Sequence, residues 1–172
     1  MKHITLIICF LFIFASCKED AKTSMLPLNE IETETVKEAT ENTKSVKALK
    51  EELTSKGFKI FDYVDEKTQD TILMQQYFIA FLKRGPIRNQ NEEEANRLQS
   101  EHLAHLGKMY ELGYADISGP FGDDGDIRGI TIYNVPTLKI ADSLANADPM
   151  VKAGRLEIEI HPWWAGKGFP LR

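Results

Sequence analysis

The order of hydropathy patterns after residue 70 constrains this chain more than any other feature. Residues 72–82 are a β-branched and aromatic run, which reads as a strand ended by Gly85-Pro86. Asn91 and then Glu92, Glu93 and Glu94 suit a helix N-terminus, where acids meet the positive end of the helix dipole. Helical spacing continues to Leu112, with Gly113 as the stop. Residues 114–118 form a short strand closed by Gly119-Pro120, and an acidic, glycine-containing turn follows at 121–126. Residues 128–135 read as a strong strand, and Pro136 and Thr137 open a second helix through Ala147. Asp148-Pro149 starts a turn that Gly154 closes. Residues 155–160 alternate Leu156, Ile158 and Ile160 with charged residues, the mark of a half-buried strand. Strand, helix, strand, strand, helix, strand is the βαββαβ order of the ferredoxin-like split βαβ arrangement, an α+β sheet with two helices on one face. The other face needs cover, from a second copy of the chain or from the residues that precede the domain.

Those preceding residues divide into three parts. In 1–16, Lys2 precedes an apolar run over 4–14 that is too short to span a bilayer and is followed by Ala15-Ser16-Cys17. Small residues directly before a cysteine resemble a bacterial lipoprotein signal, which implies cleavage before Cys17 and acylation of its thiol. The plainer reading is a secretory signal that happens to end in cysteine. Cys9 leaves with the leader, so a lipidated mature chain has no free thiol. Lys18-Glu19-Asp20 resembles the surface-export signal of Bacteroidetes lipoproteins, although a charged start to a tether explains it equally. Residues 17–44 read as an acidic, solvated tether. Residues 45–70 hold a patterned helix, with Val46, Leu49 and Leu53 at helical spacing, and a short strand around Phe58 to Val64. Residues 71–172 form the main domain. The expected address is the bacterial cell envelope, with the chain held to the outer membrane by lipid on Cys17.

Several chemistries are excluded by composition. A net charge of -5 gives no basic footprint for nucleic acid. Two cysteines support neither a disulfide scaffold nor a Cys-rich zinc site. The phosphate-loop, serine-elbow and dinucleotide patterns are missing, so no cofactor is expected.

The histidines are the informative side chains. At 100° per residue, Leu98, His102, Leu106 and Met109 fall within about 80° of one another, so His102 points at the sheet. It is either a satisfied core histidine or a general acid or base. His105 lies at the edge of the same stripe. The His102/His105 pair has metal-ligand spacing, but with no HExxH motif no metal is expected. Asp148 before Pro149 is a good helix cap, and it could also orient an imidazole. The 122–126 turn lacks the spacing of a calcium loop. His161-Pro162-Trp163-Trp164 follows the last expected strand, as packing or as a pocket wall.

These pieces together resemble the YciI-like (YCII-related) family over roughly residues 76–164. The carriers are Glu101-His102-Leu103-Ala104-His105-Leu106, Ser118-Gly119-Pro120-Phe121, Asp126-Ile127-Arg128-Gly129, Ala147-Asp148-Pro149 with Ala153-Gly154, and Ile160-His161-Pro162-Trp163. The Gly-Pro-Phe turn is similar to the DGPF branch, with Ser118 in place of its aspartate. The resemblance implies a ferredoxin-like fold pairing as a dimeric α/β barrel. It implies an active site on a histidine and an aspartate, carried here by His102 and Asp148; His105 is not required by the family pattern, and with His161 and Trp163 it is a pocket candidate on its own residue chemistry. The expectation is a lipid-anchored homodimer acting on a small molecule by general acid-base chemistry, of lyase, isomerase or hydrolase type. The alternative is a non-catalytic ligand-binding or structural envelope lipoprotein.

Overall fold

A computed structural model describes residues 45–169 and Leu171. The leader, the tether, Cys9 and Cys17 lie outside the described residues.

The chain runs α1 (Val46–Ser55), β1 (Ile60–Val64), β2 (Thr71–Arg84), α2 (Glu92–Glu111), β3 (Ala115–Pro120), β4 (Ile127–Tyr133), α3 (Leu138–Ala145), α4 (Pro149–Lys152) and β5 (Leu156–Gly166). All strand pairings are antiparallel. β2 is the central strand. β5 lines one edge of it over its last eleven residues, and β4 pairs with the opposite edge, with β3 outside β4. From β2 onward this is the ferredoxin-like order, an α+β sheet. β1 pairs Ile60 to Val64 with Gln75 to Thr71 on the edge that β4 also uses, so the 45–70 segment adds a strand to the sheet.

Each helix begins where a side chain replaces the missing intrahelical acceptor. Asn91 accepts the Glu94 N–H at 2.9 Å and Thr137 the Ile140 N–H at 3.3 Å. α2 ends at Glu111, and Gly113 at φ +71 turns the chain back toward β3.

The pleat sorts the two faces. Phe78, Ala80 and Leu82 of β2 point at the helices. Phe78 and Ala80 pack with Met109, Ala115, Tyr133, Val135 and Ala141, while Leu82 joins Leu98, Met150 and Leu156. The intervening Tyr77, Ile79, Phe81 and Lys83 occupy the other face, opposite Trp163, His161, Glu159 and Glu157 of β5.

Two boundaries differ from the sequence expectation. The Asp148-Pro149 turn is a one-turn helix, α4. The last strand does not stop at Ile160 but continues to Gly166, so His161 to Trp164 lie within the sheet, opposite Ile79 to Gln76. The reason is positional. β5 is an edge strand, and a proline such as Pro162 is tolerated there because its missing N–H need not serve a second neighbour.

Candidate functional site

His102 is placed by the middle of α2, whose buried face carries Leu98, His102 and Met109. Asp148 is placed by the start of α4. Its Oδ1 accepts the Met150 N–H at 2.8 Å, and Pro149 takes the first helical position, where no N–H is needed. The other oxygen, Oδ2, lies 2.6 Å from His102 Nδ1. Both residues are buried. The two readings of Asp148 are therefore compatible, since one oxygen caps the helix while the other meets the imidazole.

An ionised carboxylate has no hydrogen to give, so Nδ1 donates. A neutral His102 then carries its lone pair on Nε2, the nitrogen suited to exchange a proton. Burial, and after it the Asp148 carboxylate, push the Tyr133 phenol above its ordinary value, so it stays protonated.

His102 forms part of the wall of a cavity of about 670 Å³. Leu82, Leu106, Met150 and Leu156 supply an apolar lining, and Arg88, Arg128 and Arg155 bring guanidinium groups to it. A cavity of this size suits a small organic molecule.

The remaining candidates separate from this site. His105 is half-buried on the α3 side of α2 and does not line the cavity. Its Nε2 is buried without a hydrogen-bond partner. Burial lowers its pKa from the ordinary value, opposed by the Asp148 carboxylate and the Leu144 backbone. His161 and Trp163 were expected to border the pocket with His102. They lie on the opposite face of the sheet and are exposed. There His161 Nε2 meets Glu159 Oε1 at 2.8 Å, its ring packs edge-on to Phe81, and Trp163 packs on Tyr77. The physical reason is strand parity. With β5 continuous, His161 and Trp163 fall out of step with Leu156, Ile158 and Ile160 and so face away from the helices.

The three cavity arginines were assigned no role from sequence, because Arg88 lies in a loop and Arg128 and Arg155 stand at the beginnings of strands, with no local pattern to bring them together. Arg84, next to Gly85, pairs with Asp124 at 3.2 Å. Among the described residues no three His, Cys, Asp or Glu side chains group as metal ligands. No described helix is long and apolar enough to cross a membrane.

Comparisons with known proteins place this geometry in a family. A solved structure of 5-chloro-2-hydroxyhydroquinone dehydrochlorinase from Burkholderia phenoliruptrix AC1100, in complex with 2,5-dihydroxybenzoquinone, is similar at 22% identity. The similarity covers 51% of this chain and 92% of that one, with a TM-score of 0.39. No curated protein matches the chain. The model of the YCII-related domain matches residues 78–164, which include α2 to α4 with His102 and Asp148, half of β2 and most of β5. The chain belongs to the YCII-related domain family.

Proposed function

We propose that this chain is a small-molecule enzyme in which His102 is the general acid or base and Asp148 holds its tautomer and orientation. The observation that carries the reading is the 2.6 Å contact that the buried Asp148 makes with His102, which lines the cavity. A carboxylate on Nδ1 stabilises the imidazolium that forms when Nε2 takes a proton, which is its role in catalytic dyads and triads. The apolar lining strengthens that interaction by excluding water. Proton transfer without redox chemistry fits an isomerase, lyase or hydrolase type of reaction.

The proposal includes a homodimer and a lipid anchor. The open sheet face presents Ile79, Phe81, Ile130 and Trp163 at least partly to solvent, an apolar surface that a second copy would cover. Lipid on Cys17 would tether the chain to the bacterial envelope, a reading that rests on residues 2–17 alone.

The test is a thermal-shift screen of the full chain in detergent against a broad set of small metabolites, followed by turnover assays on each hit. A hit that is turned over by the wild type but not by His102→Ala supports the enzyme reading, because binding to the native state raises its midpoint. Turnover that survives His102→Ala overturns it. Sedimentation of the same samples checks the dimer, and incorporation of labelled palmitate, lost in Cys17→Ser, checks the anchor.

A further inference from the structure

The charges of the three cavity arginines are answered unequally. Arg128 Nη1 lies 2.7 Å from Asp124 Oδ1 and 3.1 Å from the Gly125 carbonyl oxygen. It therefore has a carboxylate partner, which it shares with Arg84. Arg88 and Arg155 have only neutral partners. Arg88 Nη1 donates to the Arg155 main-chain oxygen at 3.2 Å, and Arg155 Nη1 donates to Gln90 Oε1 at 3.0 Å. Among the described residues neither makes an ion pair. Each guanidinium has five N–H donors in a planar fork, so most of this donor capacity is unspent.

The fold holds these two cations together. Arg88 belongs to the loop after β2, and Arg155 to the loop before β5. Gly85 N–H donates to the Arg155 carbonyl and Ile87 N–H to the Gly154 carbonyl, each at 3.0 Å. The backbones are so close that a Cβ on Gly85 would stand 2.3 Å from the Gly154 oxygen. Gly154 itself sits at φ +66, with Ile87 against it. Two like charges are thus clamped at one wall by main-chain contacts that do nothing to neutralise them. Partial desolvation of this otherwise exposed side chain, and then the neighbouring cations Arg155, Arg84 and Arg128, lower the Arg88 pKa from its ordinary value. An arrangement of this kind is relieved by an anion that both forks can reach.

We infer that the cavity takes a small amphipathic anion, whose carboxylate or phosphate is bound by Arg88 and Arg155 while its apolar body lies against Leu82, Leu106 and Leu156. This deepens the enzyme reading and rests on it for the cavity being the active site. It specifies a negatively charged head and an apolar tail, so neutral sugars, free bases and polycations are excluded. The head group sits at the arginine wall and the reacting part extends toward His102.

The experiment is a calorimetric titration of the full chain in detergent with phenylacetate, phenyl phosphate and the uncharged phenylacetamide. The wild type should bind at least one of the two anions about tenfold or more tighter than the amide, as expected for a charge-assisted contact. The tighter of the two assigns the head group. Arg88→Gln and Arg155→Gln should each weaken anion binding by about tenfold and leave the amide unaffected. Arg88 is exposed, so its variant is the one expected to retain the fold, checked by near-UV circular dichroism. Equal binding of amide and anions, no binding of either anion, or anion binding unchanged in a folded Arg88→Gln chain overturns the inference. Because binding is read without turnover, a failure of the His102 chemistry leaves this result standing. Turnover that keeps its KM in Arg88→Gln removes the arginine clamp and leaves the dyad.

Discussion

Two histidines of this chain each meet a carboxylate at nearly the same distance, on opposite faces of one sheet. His102 and Asp148 are 2.6 Å apart with side chains 10% and 3% exposed. His161 and Glu159 are 2.8 Å apart with side chains 55% and 51% exposed. The distances are alike and the settings differ. Water competes for every donor and acceptor of the outer pair and screens its charges, so such contacts contribute little. The inner pair has no such competitor, and Asp148 is fixed a second time by the cap of α4. A buried partner that is lost is not replaced by solvent.

The largest expected difference is in turnover. His102→Ala should lower kcat/KM for the substrate found by about a hundredfold or more, the usual contribution of a positioned general acid or base. His161→Ala should leave it unchanged. Comparable losses in both variants would erase the functional distinction between the faces.

Stability should separate the pairs next. Asp148→Ala strands the Nδ1–H of His102 and removes the α4 cap, costing about 2–4 kcal/mol in urea unfolding. Asp148→Asn keeps an oxygen for the Met150 N–H, so it should recover about 1 kcal/mol of that loss. Glu159→Ala should shift the unfolding midpoint only slightly.

The third histidine sharpens the contrast through pH. Burial lowers the pKa of His105 below its ordinary 6.5, so the folded state resists protonation. The resulting stability is complete above 6.5 and declines as pH falls from there toward the lowered folded value. His105→Gln should flatten the fall in Tm over that window. An unchanged slope would assign the effect to other groups.

The smallest effect belongs to the outer carboxylate. His161 and then Lys83 hold the Glu159 pKa below its ordinary 4.5. The stability this supplies is present above 4.5 and lost as pH falls through the folded value. Melting profiles of the wild type and Glu159→Gln should therefore differ slightly at neutral pH and converge in acid. Profiles that diverge toward acid would reverse the sign.

Local pattern was enough to locate much of this architecture. The βαββαβ order follows from periodicity and from Asn91, Gly113 and Thr137 at element ends, where backbone chemistry is local. His102 was legible as a buried position because a helix repeats every 3.6 residues. Its partner was less so: Asp148 was legible as a helix cap able to orient an imidazole, but no local rule connects residues 102 and 148, and only the resemblance joined them. The error at His161 and Trp163 has a similar origin. Pro162 looked like the end of a strand, and only pairing with β2 shows that an edge strand accommodates it. Arg88 and Arg155 were invisible for the same reason, because a contact between two glycine-bearing loops brings them together.

The position of β2 has a consequence during synthesis. It is the first strand of the matched domain, yet its longest partner, β5, is the last to be made: Phe78 waits for Pro162. A nascent chain that has assembled β2, β3 and β4 still exposes one raw edge of its central strand over most of its length. Pairing across about 80 residues closes late because the loop must be gathered first. Until then that edge is open to strands of other chains. The final strand is then the step that closes this edge of the central strand.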